Sequence, residues 1–160
     1  MLDYFRIETG NSLEGKIMYQ TKFQKKQFDQ FIKDVFRFAD EVIMLVEPYI
    51  ESTSAFHESK WRELEECVCR MEPIERKEKN LSGRKYPPKG TKLYLNKNYY
   101  LLQYFQAIGK WDDFAEEDPT TGIRLDCVEF YKDKKIFAWI TSHYNAYYNN
   151  YGWNENFDAE

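Results

Sequence analysis

The stretch Glu41-Val42-Ile43-Met44-Leu45-Val46-Glu47, followed by Pro48, limits the fold of this chain more than any other. It is an unbroken apolar run, rich in β-branched residues and bounded by acids. That pattern predicts a strand buried on both faces and entered at Ala39-Asp40. The helical spacing of the preceding residues would allow a helix to continue through Val46. The flanking acids and Pro48 favour helix, then strand. A strand covered on both faces needs other elements packed over it.

The rest of the chain supplies them. Residues 3–20 read as one or two short extended pieces, DYFRIE and GKIMYQ, around a Gly-Asn-Ser turn region. From Thr21, a candidate N-cap, Phe28, Phe31, Ile32, Val35 and Ala39 recur with helical period. Ser52-Thr53-Ser54 offers capping oxygens for a second helix, with Trp61, Leu64, Val68 and Met71 as its apolar stripe and Pro73 as its stop. Lys92–Leu95 suggests a strand before a third helix from Asn98, where Leu101, Leu102, Phe105 and Ile108 share a face and Gly109 would close it in a left-handed cap. An acidic loop through Pro119 and Gly122 comes next. Runs 123–131 and 136–141, joined by Lys132-Asp133-Lys134-Lys135, predict a hairpin whose second strand is central. The expected fold is α+β: one domain over 1–160, a mostly antiparallel sheet carrying about three helices. A basic loop over 74–92 and a frayed tail over 154–160 are expected at its surface.

Charge bears on partners. The net charge of −4 disfavours nucleic acid and anionic membrane in bulk. Basic residues cluster from Arg76 to Lys92, but with Tyr86 as the one aromatic they read better as a solvated loop than as an RNA surface. The segment 112–118 is the reverse, with Asp112, Asp113, Glu116, Glu117 and Asp118 and no base. The opening Met-Leu-Asp-Tyr-Phe-Arg has no basic n-region or apolar h-region, so a cytosolic chain is expected.

Candidate chemistry is sparse. Cys67-x-Cys69 could suggest a metal, with Cys127, His57 and His143 as further ligands, but a helix would turn the two thiols to opposite sides. No nucleotide-binding, zinc-protease or serine-hydrolase motif is present, so no catalytic residue, metal ligand or cofactor is named. The Tyr/Asn-rich end is more suggestive. Tyr147, Tyr148, Tyr151 and Trp153 are the residue types that anchor interfaces, although Tyr144–Tyr148 could equally finish the sheet.

The segments "FIKDVFRFADEVIMLVEPYI" and "CVEFYKDKKIFAWITSHYNAYY" together resemble a group of small, mostly uncharacterised bacterial cytosolic proteins. There a helix ends at an acid and runs into an apolar strand, and a C-terminal hairpin carries an aromatic and a histidine. Trp139 and His143 would match that pair. In size, acidity and α+β layout the chain is also similar to immunity proteins of bacterial toxin systems. That likeness implies a non-catalytic inhibitor that covers a basic toxin domain with an acidic, aromatic surface. On the residues, that surface is Asp112, Asp113, Glu116 and Glu117 with Tyr147, Tyr148, Tyr151 and Trp153. The alternative is a small enzyme or ligand-binding domain with a pocket between sheet and helices, near His143 and Trp139.

Overall fold

The computed structural model describes residues 6–12, 15–21, 25–74, 90–141 and 145–149. Eight strands form one antiparallel sheet: β1 Arg6–Ser12, β2 Gly15–Thr21, β3 Glu41–Glu47, β4 Val68–Ile74, β5 Gly90–Leu95, β6 Arg124–Lys132, β7 Lys135–Thr141 and β8 Asn145–Asn149. Their spatial order is β1-β2-β8-β7-β6-β3-β5-β4. Among the described residues three α-helices accompany them: α1 Lys25–Phe38, α2 Tyr99–Gln106 and the short α3 Trp111–Ala115. The fold is α+β. Among the described residues no helix is long and apolar enough to cross a membrane.

The apolar run is the interior strand β3. It lies between β5 and β6, and residues 42–46 are all buried. Alternation divides them between two clusters. Val42, Met44 and Val46 join the aromatic core under the helices. Ile43 and Leu45 join a second cluster on the other face with Cys127, Tyr131, Ile136 and Trp139. Each such side chain, fully buried, contributes about 1.5–3 kcal/mol of transfer free energy. The helix-side core is unusually aromatic: Phe36 meets Phe105 and Phe130 edge-on at 6.0 Å each, and Phe31 meets Phe130 at 6.1 Å. Trp139, expected beside a pocket between sheet and helices, belongs to the cluster on the opposite face of the sheet from this core.

The hairpin forms as read, with Asp133 and Lys134 both at positive φ (51° and 66°). This is the backbone shape that two-residue hairpins need, here built without glycine or asparagine. Asp40 braces it, since the Asp133 N–H donates to Asp40 Oδ2 at 3.0 Å and the Asp40 N–H donates to the Tyr131 carbonyl at 2.9 Å.

Several expectations are corrected. The predicted second helix is two 3-10 turns, Thr53–Phe56 and Arg62–Cys67, followed by β4. Ser59 explains the break: its hydroxyl donates to the Phe56 carbonyl and accepts from the Trp61 N–H, so the side chain replaces helix bonds. Pro73 does not stop a helix; it sits in β4, an edge strand, where a missing donor is tolerated. Ser52 does cap as expected, accepting from the Ser54 N–H. Thr21 ends β2 opposite Asn145 rather than capping α1. Gly10-Asn11-Ser12 pairs within β1 instead of forming the turn. Asn98 caps α2 through the Leu101 N–H, but the left-handed glycine is Gly122 (φ 74°), not Gly109. The acidic loop begins as the helical turn α3. Of the basic stretch 74–92, Ile74 closes β4 and Gly90–Lys92 open β5; residues 75–89, like the tail 154–160, lie outside the described residues.

Candidate functional site

The acids of α3 lie exposed on a rigid base. Trp111, Phe114 and Ala115 are buried, so the opposite side of this short helix presents Asp112 and Asp113, and Glu116 and Glu117 follow. Trp111 fixes the turn to the sheet, its indole donating to the Thr141 carbonyl at 2.9 Å. Beneath lies an open cleft of about 570 Å³ bounded by Glu47, Asp112, Glu116, Glu117 and Asp126, with Arg124 as its one base among the described residues. Arg124 donates to Glu47 Oε2 at 2.7 Å.

A second acidic segment is joined to this one. The indole of Trp61, fully buried, donates to the Phe114 carbonyl at 3.0 Å, with the two rings packed edge-on. The Lys60 N–H donates to Asp118 Oδ1 at 2.9 Å, and Lys60 Nζ donates to the Asp113 carbonyl at 2.6 Å. Partial burial lowers the pKa of the Lys60 ammonium, against the pull of Glu116, Asp118 and Asp113.

Asp118 was read with the solvated acids, yet it is 3% exposed. Its other oxygen accepts from the Thr121 N–H and hydroxyl, each at 2.8 Å. Burial opposes the charge, and these bonds with that from Lys60 outweigh it, holding the carboxyl below the usual carboxylate range. Asp118 is therefore the structural member of the block. Its bond from the Lys60 N–H ties the end of the acidic block to the segment of the 3-10 turns.

Those turns extend the acidic surface. Glu58, Glu63, Glu65, Glu66 and Tyr100 bound a shallow depression of about 410 Å³, with Arg62 as a base among them. His57 Nδ1 lies 2.6 Å from Glu65 Oε2. Tyr100 is 47% exposed, and desolvation together with Glu63 and Glu66 pushes its hydroxyl pKa up. Sequence reasoning singled out neither these acids nor Tyr100. Its signal was position: Tyr99-Tyr100 follows the Asn98 cap and falls outside the stripe of Leu101, Leu102, Phe105 and Ile108.

The tyrosine-rich segment is a separate matter. Tyr147 and Tyr148 belong to β8, an interior strand, paired with Tyr19 and Met18 on one side and with Trp139 and Ala138 on the other. Tyr151, Trp153 and His143 lie outside the described residues.

The cysteines are dispersed. Cys67 is buried at the end of a 3-10 turn, which raises its thiol pKa, whereas Cys69 is exposed in β4 and donates to the Tyr94 carbonyl at 3.1 Å. Cys127 is buried on β6. Among the described residues, no cluster of three or more His, Cys, Asp or Glu side chains could hold a metal ion. No protein-family model, curated protein or solved structure matches the chain.

Proposed function

We propose that this chain is a non-catalytic protein-binding module that takes a basic protein domain on its acidic face, in the manner of an immunity-type inhibitor neutralising a bacterial toxin. One observation carries the reading. The Trp61–Phe114 and Lys60–Asp118 bonds join two acid-rich segments, distant in sequence, into one fixed surface. A preformed negative surface speeds encounter with a basic partner and repels acidic ones, without the ordering cost of a flexible loop. Tyr100 supplies an aromatic contact at its edge, exposed and flanked by carboxylates.

The test is affinity capture with two baits, the wild-type chain and a variant in which Asp112, Asp113, Glu116 and Glu117 are all lysine. A stoichiometric basic partner held by the first and lost by the second supports the reading. Equal retention by both baits would refute the acidic face. A partner with no toxicity for the chain to suppress would refute the immunity form.

A further inference from the structure

The surface changes sign between two consecutive tyrosines. Tyr100 faces Glu63 and Glu66, whereas Tyr99, 71% exposed, forms a wall of a groove between α1 and α2. Phe36 and Leu102 line that groove with Tyr99, and Lys33, Arg37 and Lys97 stand around it. Its volume is about 400 Å³, and it is open to solvent.

Several features favour an anion there. Lys33 and Arg37 stand four residues apart on one exposed helix face and bring two positive charges to the rim of the groove. Lys97 lies across from them, its ammonium donating to the Ala39 carbonyl and repelled by Lys132, with Asp40 as the nearby acid. The N-terminal end of α2, capped by Asn98, adds the positive pole of its dipole. The apolar lining favours something besides charge, and an open groove suits an inserted side chain better than an enclosed metabolite.

We propose that this groove binds an acidic peptide segment of a partner protein through an aromatic or aliphatic anchor. The anchor lies against Phe36, Tyr99 and Leu102, and the flanking carboxylates meet Lys33, Arg37 and Lys97. This site is opposite in charge to the acidic face and does not depend on its function.

The experiment titrates the isotope-labelled full chain with a short acetylated peptide carrying Phe and Leu among Asp and Glu, followed by NMR. A control peptide has Ser in place of Phe and Leu. The expected result is amide shifts confined to α1 and α2 around Phe36 and Leu102. Affinity should fall at least about tenfold with the control peptide and with the Lys33→Glu/Arg37→Glu variant. Both substituted side chains are exposed, and Lys97→Gln, outside either helix, provides a second weakening change that leaves α1 untouched. Shifts elsewhere, equal affinity for the serine control, or no binding would overturn the proposal. If the double variant alone, without peptide, moves the resonances of residues 150–160, the groove is held by the chain's own Tyr151–Glu160 and the external partner is refuted.

Discussion

The indole Nε1 of Trp61 donates to the main-chain carbonyl of Phe114 at 3.0 Å, inside the core and across the seam between the 3-10 turns and α3. Trp61→Phe keeps a ring in place but leaves that carbonyl without its donor. The expected cost is about 1–3 kcal/mol. At this chain length that is a fall of several degrees in Tm, about 2–4 °C per kcal/mol. Urea and thermal unfolding measure it; an unchanged midpoint would show that the bond does not hold the seam.

Asp118 gives the acidic surface a pH dependence with a definite sign. Its folded-state pKa is depressed, so its stabilisation is fully present above the unfolded-state value near 4 and is lost as pH falls through the folded value. Asp118→Asn can still accept from the Lys60 N–H through one oxygen but cannot accept from Thr121 at the other position. The variant should be less stable by about 1–3 kcal/mol at neutral pH. The gap to wild type should narrow in acid, as urea titrations over roughly pH 3 to 7 would reveal. A gap that stayed constant would count against an ionised Asp118.

The β6–β7 turn is open to improvement. Lys134 holds φ at 66° while exposed, a conformation that costs a side-chain-bearing residue about 1–2 kcal/mol and glycine almost nothing. Lys134→Gly creates the Asp-Gly pair that such turns favour and leaves the Asp133–Asp40 bond intact. Stability should rise by about 1 kcal/mol, read from the thermal midpoint. A decrease would mean that the lysine side chain contributes more than its backbone costs.

Reversing charge at Glu116 and Glu117 separates steering from packing. Both are exposed, so stability should change by no more than about 0.5 kcal/mol per site. Association with a captured basic partner should slow by about tenfold while dissociation changes little. The salt dependence of the association rate should become shallower. Stopped-flow mixing at two ionic strengths measures both, and an unaltered association rate would remove these two acids from the interface.

Much of the architecture was legible where local pattern and tertiary context agree. The run 42–46 had to be interior because every residue in it is apolar, and the spacing of Phe28, Phe31, Ile32 and Val35 declared the buried side of α1. The segment after Ser52 misled for a physical reason. Trp61 and Leu64 are fully buried and Val68 and Met71 partly so, as a helical stripe would require, but Ser59 breaks the helix and β4 takes over at Val68. The acidic face was half visible. The block 112–118 is evident as acidic, whereas the acids of 58–66 alternate with Lys60 and Arg62, and the contact between the two segments depends on an indole–carbonyl bond that neither segment's pattern encodes. The place of β8 was less legible still, because its pairing with both β2 and β7 is wholly non-local.

That last arrangement has a consequence for synthesis. The hairpin β1–β2 is made early, but the strand that joins it to the sheet is β8, which follows every other described strand in sequence. Thr21 must wait for Asn145. Until then the nascent chain carries an early hairpin with an open edge, while β3, β6 and β7 can already assemble around the aromatic core. Closure of the sheet is thus deferred until β8 has been made, and the unjoined hairpin is what a chaperone would meet first.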